Sequence, residues 1–330
     1  MSTSPSSHPV DRPTAGGRPR RARVRRAVAW LVGASCLAGS ALWLGLRVQP
    51  APLPTPSFSG APTPVVALPQ DLPPPVERFY RALYGDEVPV VDTLVVSGRG
   101  TMRVAGITFP CRYRFSHLTG RAYRHDIETT LFGAPVLSVD ERYVEGAARL
   151  ELPFGVSEGP QVDQGANLAL WAELIWAPSV WATSPAIRWE PVDATTARLV
   201  VPFGEASESF TVSFDPTTGL LRRLESLRYK GEQAATKTLW INEVREWGQL
   251  DGQPVPVSTA VRWGDERSAW AVLRTEQVLH DADLSAYVRA DGPAGSGAAL
   301  SALPVRTAST TSAMAATEAL EAVSSSSRPR

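Results

Sequence analysis

The sequence predicts a mainly β, α+β fold: an antiparallel curved sheet or half-barrel with two or three short helices, preceded by one transmembrane helix. Three observations predict it. Ala27–Leu46 is free of charge and follows a cluster of arginines. Alternation at period two recurs through residues 93–279, as where Phe210, Val212 and Phe214 interleave with Ser209, Thr211 and Ser213. No βαβ rhythm and no glycine-rich phosphate loop occurs, which argues against a doubly wound α/β fold.

The N-terminal segment comes first. Residues 1–26 hold seven Arg and one Asp, a net charge of +6, so the other residues of this neutral chain carry −6. A Ser-, Pro- and Gly-rich basic head of this kind reads as a disordered cytoplasmic arm. Residues 27–46 would span about 30 Å as a helix, the thickness of a hydrocarbon core. Trp30 and Trp43 sit near its ends, where indoles favour the interface. The positive-inside rule places the rest of the chain outside the cytoplasm, at the cell membrane. A cleaved signal peptide and a lipoprotein signal ending at Cys36 are the alternatives. The apolar run is long for the first, and Gly33 stands where a lipobox wants a larger apolar residue.

Residues 47–71 form a Pro-rich linker, and ten prolines fall between residues 49 and 75. In polyproline II geometry residues 49–70 would be a stalk roughly 60–70 Å long. Residues 72–290 are the folded domain. Residues 291–330, rich in Gly, Ala, Ser and Thr, read as a disordered low-complexity tail.

Within the domain, Pro74-Pro75 opens a helix to about Tyr84, stopped by Gly85, with Val76, Phe79, Tyr80 and Leu83 as its buried stripe. Thr93–Arg103 and Ile107–His117 read as strands. Leu118-Thr119-Gly120 as a hairpin loop would pair Phe115 with Tyr123, Tyr113 with His125 and Cys111 with Ile127. Val136–Val144 and Ala148–Pro153 continue the sheet. Asn167–Ala177 is a helix apolar nearly all round, which must be covered on most sides or must cap a cavity. Phe210–Phe214, the Asp215–Gly219 turn, Leu220–Tyr229, Thr236–Trp247, Pro256–Trp263 and Ala269–Leu279 complete about ten or eleven strands.

Trp171–Pro178 (WAELIWAP), Ile187–Pro191, Phe214-Asp215 with Gly219, and Asp251–Pro256 with Trp263 occur in that order. This constellation resembles an uncharacterised bacterial domain-of-unknown-function family over about residues 75–288, with no catalytic residues to carry across. The order of strands and internal apolar helices is also similar to the half-barrels of LolA-like lipoprotein carriers and LppX-like lipid-binding lipoproteins. That resemblance implies an acyl chain held between sheet and helices.

The chemistry is sparse. The charge balance gives no footprint for nucleic acid, and two cysteines exclude a disulfide scaffold or Cys-rich zinc site. No G-x-S-x-G or H-E-x-x-H motif occurs, so no catalytic residue is assigned. His117 and His125 share the apolar face of their hairpin, with Asp126 on the other. A metal pair there is less expected than core histidines, and no metal or cofactor is assigned. Cys111 reads as a buried, inert thiol. Glu173 interrupts an apolar helix and is either an ion-pair partner or an anchor for a ligand head group.

Tyr113, Phe115, Trp171, Glu173 and Trp176 are the candidate ligand-binding residues. The expectation is a membrane-anchored extracytoplasmic protein, non-catalytic, binding a lipid or other apolar ligand in a half-barrel cavity. A module docking an envelope protein, and an unrecognised enzyme, are the alternatives. Membrane lipid around residues 27–46 is the one partner implied directly.

Overall fold

The computed structural model describes residues 18–54 and 63–290. The extreme N-terminal head, residues 55–62 of the Pro-rich run and the tail lie outside the described residues. Helix α1 (Arg18–Gly45) contains a stretch, Val24–Gly45, that is long and apolar enough to cross a membrane, and only its last residue, Gly45, is buried against the protein. Strands β1 (Val65–Ala67) and β2 (Glu87–Pro89) pair around helix α2 (Pro74–Tyr84). α2 has the predicted bounds. Pro74 and Pro75 occupy its first turn, where no amide donor is needed, and Gly85 with φ of 79° stops it. Val76, Phe79 and Tyr80 are fully buried, each contributing about 1.5–3 kcal/mol.

The main sheet starts with β3 (Thr93–Val104), β4 (Ile107–Leu118), β5 (Ala122–Leu131), β6 (Ala134–Val144), β7 (Ala147–Leu152) and β8 (Gly155–Ser157). Helix α3 (Pro160–Ala172), a single 3-10 turn (Glu173–Trp176) and helix α4 (Val180–Thr183) follow. The second half is β9 (Arg188–Pro191), β10 (Thr196–Phe203), β11 (Ala206–Phe214), β12 (Leu221–Arg228), β13 (Thr238–Leu250), β14 (Gln253–Trp263) and β15 (Ala271–His280), then helix α5 (Ser285–Arg289). These strands form one open, curved, antiparallel sheet of 13 in the order β8-β7-β6-β5-β4-β3-β15-β14-β13-β12-β11-β10-β9. The predicted fold class is borne out.

That order explains the helices. Two meanders meet where β3 pairs with β15, so the chain leaves the sheet at one edge, β8, and re-enters at the other, β9. The segment between them has to cross the inner face, and so α3, the 3-10 turn and α4 are buried over nearly their whole surface. Their side chains join Phe79, Tyr80, Phe210 and Phe214 in the main core. Asn167, one of two buried polar side chains in α3 with Gln164, accepts from Tyr143 Oη (3.2 Å) and donates to Pro202 O (3.0 Å). A buried polar group paired in this way costs little.

The outer face carries a smaller core, Val95, Leu118, Ala122, Leu284, Tyr287 and Val288, under α5. Arg114, 2% exposed, organises it. Its guanidinium donates to Asp126 Oδ2 (2.9 and 3.1 Å), to Tyr287 Oη (3.2 Å) and to Pro54 O (2.9 Å).

The last of these contacts changes the reading of the linker. Arg99 and Arg112 likewise donate to Pro50 O (3.3 Å) and Ala51 O (3.1 Å), so residues 50–54 lie strapped along the outer face across β3 and β4. A free stalk does not begin at residue 49. Phe132 N donates to Gly45 O (2.9 Å), so the end of α1 rests on the β5–β6 hairpin itself.

Three further expectations shift. The β4–β5 loop is Thr119–Arg121, one residue later than expected, so Phe115 faces His125 and His117 faces Tyr123. Every partner moves by two residues, which preserves the face each side chain occupies. The all-apolar helix begins at Pro160 rather than Asn167, behind a polar first turn, and ends in the 3-10 turn before Pro178. The edge strand β9 and strand β10 raise the strand total above the expected ten or eleven.

Candidate functional site

The inner face of the β4–β5–β6 meander brings His117, His125, Tyr123 and Glu141 together. His125 is opposite Phe115 on β4 and Glu141 on β6. Its ring stacks on Tyr123 at 4.0 Å between centroids and lies 5.7 Å from the His117 ring. Glu173 descends onto this face from above. It caps α3, and the change there from α-helix to 3-10 turn aims its carboxylate at the strands.

His125 Nε2 lies 2.7 Å from Glu173 Oε2, and His125 Nδ1 lies 3.6 Å from Glu141 Oε2. Tyr123 Oη donates to Glu141 Oε1 at 2.6 Å. His117 Nε2 is 2.9 Å from the same Glu173 oxygen, but off the line of a good hydrogen bond. Burial alone would lower the His125 pKa. The negative charge of Glu173, with hydrogen bonding to Glu141 and Glu173, overrides burial and raises it to about 9. Burial would raise Glu173, but the His125 cation and the contacts from both imidazoles bring it to about 2. His117 is shifted down by burial, which its contact with Glu173 only partly offsets. The cluster is thus a carboxylate between a cationic and a neutral imidazole.

The donor atoms of His117, His125 and Glu173 lie within 4.8 Å of one another, so these three could ligate a metal ion. Both Nε2 atoms address one carboxylate oxygen; the proton on His125 Nε2 satisfies that oxygen, whereas both ring nitrogens of His117 are buried without a hydrogen-bond partner among the described residues.

Beside this cluster, between the 3-10 turn and the sheet, is a cavity of about 100 Å³. Phe115, Ile127, Ala169, Ala172, Ile175, Trp176 and Leu273 give it an apolar wall, and His125, Glu141 and Glu173 give it a polar end. Four more lining residues, Arg228, Trp240, Asn242 and Trp270, each have a buried side-chain N–H with no hydrogen-bond acceptor among the described residues. Arg228 lies over the Trp240 ring at 4.5 Å. Buried unpaired donors are uncommon in native proteins, and four residues that line one cavity carry them.

Of the expected ligand-binding residues, Phe115, Glu173 and Trp176 line this cavity. Trp176 Nε1 is itself held by Pro256 O and Thr275 Oγ1, at 3.0 and 2.9 Å. Tyr113 is buried next to Phe115 and turns its hydroxyl to Arg274 O, at 3.3 Å. Trp171 lines a different, open cleft with Gly120 and Thr183. Cys111 is fully buried, and burial raises its pKa to about 12. The sequence assigns Glu141 and Arg228 no role, yet parity could have found them. Glu141 alternates in phase with Val139 and Tyr143, and Arg228 with Leu224 and Ser226, so both are charges at inner-face positions.

Residues 63–275 match the model of a family of unknown function, DUF6544. No curated protein matches the chain in sequence. Among solved structures, a DUF1329 family protein from Desulfovibrio piger is 12% identical, covers 61% of this chain and 90% of its own, and has a TM-score of 0.36. A putative outer membrane lipoprotein-sorting protein domain from Vibrio parahaemolyticus is 10% identical, covering 64% and 91%, with a TM-score of 0.35. A LolA superfamily protein from Nitrosomonas europaea is 10% identical, covering 62% and 90%, with a TM-score of 0.36. Likenesses this loose carry no ligand across.

Proposed function

The chain belongs to the DUF6544 family, and we propose that it is a single-pass, membrane-anchored extracytoplasmic binding protein. Its inner-face cavity takes a compact, mainly apolar ligand that bears a hydrogen-bond acceptor. One observation carries the reading: an apolar wall shares its cavity with four buried, unpaired N–H donors. An apolar surface with a few placed polar groups is the usual make-up of a small-molecule site.

Size narrows the ligand. At about 100 Å³ the cavity is smaller than the ~300–1,000 Å³ typical of drug-sized ligands. It accepts the end group of a lipid or a small ring. A whole acyl chain would enter only if the 3-10 turn swung away from the sheet. The topology in this reading has the arginines at the start of α1 in the cytoplasm and the sheet outside.

The test is native mass spectrometry and lipid extraction of the full chain released from its membrane in mild detergent. A stoichiometric bound molecule in the wild type, lost in Ala172→Leu, supports the reading. Wild-type protein that carries nothing, and that gains no mass when offered a lipid extract, overturns it.

A further inference from the structure

We infer that three neighbouring hairpin tips at the α1 end of the sheet rest in the outer membrane–water interface, so that the domain sits on the bilayer. The inference builds on the reading of α1 as a retained membrane span.

The sheet order dictates which turns share an end. The β3–β4, β5–β6 and β7–β8 turns lie at one end, side by side, and the β4–β5, β6–β7 and β13–β14 turns lie at the other. The two ends differ in chemistry. On the first, Ala105–Ile107, Leu131–Val136 and Leu152–Val156 contain no charged residue. Each exposes a large apolar side chain: Ile107 is 46% exposed, Phe132 54% and Phe154 75%. On the second, the tips read Thr119-Gly120-Arg121, Glu145-Gly146 and Asp251-Gly252. Three adjacent uncharged tips, each with an exposed large apolar side chain, make the kind of patch that marks an interaction surface.

The position of α1 says what covers that row. Gly45 O accepts from Phe132 N, and a Cβ at Gly45 would meet the Phe132 ring at 2.7 Å, so span and hairpin are in direct contact. Trp43 and Arg47 flank this point, with the guanidinium 4.7 Å from the Trp43 ring centroid. Trp and Arg at the end of a span mark the headgroup level. Phe132 is therefore at that depth, and the adjacent tips with Ile107 and Phe154 are its neighbours in the sheet. Phe132 also holds a φ of 53°, a left-handed conformation that a bulky side chain rarely adopts. Ala105, Glu145 and Asp251 hold the same conformation at the other two-residue turns, so this is turn geometry common to both ends, and at this tip it presents the Phe132 ring outward. Farther along the same end, the β14–β15 connection carries Asp265 and Glu266, so the apolar row stops a short way from the span.

The test uses the full chain in nanodiscs of a phosphatidylcholine and phosphatidylglycerol mixture, with spin labels on a Cys36→Ser background. Phe154→Cys and Ile107→Cys report the tips, and Glu145→Cys at the opposite end is the control. Both tip labels should gain accessibility to oxygen and lose accessibility to a water-soluble nickel chelate by severalfold relative to the control. Tip labels as open to the chelate as Glu145→Cys overturn the inference while leaving the anchor intact. Tips protected from the chelate without an oxygen gain point to a protein cover and overturn it too. A chain found cleaved after α1 and free of the nanodisc overturns the anchor itself, and the lipid contact with it.

Discussion

His125 Nε2 and Glu173 Oε2 stand 2.7 Å apart, and this contact pins the crossing segment to the floor of the sheet. Both groups are largely buried, with side chains 3% and 18% exposed. Removing one partner of such a pair strands the other's charge. Glu173→Ala should cost about 3 kcal/mol or more, read as a lowered denaturant midpoint. His125→Phe with Glu173→Leu removes both charges together and should cost far less, by the same measurement.

The same pair makes stability depend on pH in both directions. Glu173 has a folded pKa of about 2, below its unfolded value, so its contribution is present above about pH 4.3 and lost as pH falls toward 2. His117, shifted down by burial, adds to the acid loss, because below about pH 6.5 the unfolded imidazole takes up a proton that the folded one resists. His125 is raised to about 9, so its contribution is full below about pH 6.5 and lost as pH rises through 9. Denaturant midpoints across pH 2–10 should peak near neutrality. Glu173→Gln should flatten the alkaline limb, and an unchanged alkaline limb in that variant would contradict the assignment.

Where β3 meets β15, the strands touch through glycine. A Cβ at Gly98 would lie 2.0 Å from Arg274 O, and one at Gly100 2.1 Å from Val272 O. Neither obstacle is a side chain that can rotate away. Gly98→Ala or Gly100→Ala should force apart the seam between the two meanders and cost about 3 kcal/mol or more. Thermal unfolding of the purified variants, or failure to accumulate as folded protein, checks it.

Trp240 separates ligand binding from stability. Its Nε1 is buried and unpaired among the described residues, so Trp240→Phe removes a polar group that none of them satisfies. Unliganded protein should gain about 1 kcal/mol in chemical denaturation, less whatever packing the smaller ring loses. The bound molecule, if it accepts from this N–H, should be held more weakly. A variant that loses stability and keeps its ligand would remove Trp240 from the site.

Much of the fold was legible because its signals are local. The Pro–Pro start and Gly stop of α2 and the alternation in β11 depend on neighbours within a few residues. The inner-face placement of His117 and His125 survived an error in the loop because a two-residue slip keeps side-chain parity. The cavity was less legible. Glu141, Glu173 and Arg228 come from three elements well separated in sequence, and only the crossing forced by the β8 and β9 edges brings them to one place. Trp171 and Trp176 looked equivalent in one apolar helix. The change to a 3-10 turn at Glu173 rotates the second away from the first, and only Trp176 reaches the cavity.

The Arg114 guanidinium holds Pro54 from the tether, Asp126 from the sheet and Tyr287 from the last helix. Mechanically it is a clasp joining the two ends of the domain. A pull on α1 meets the β5–β6 hairpin at Gly45 first, then Arg99 and Arg112 at Pro50 and Ala51, and reaches the clasp that also holds the C-terminal helix last. A pull that frees Pro54 strips one partner from Arg114, the residue that also holds Tyr287, and so loosens α5 in the same event.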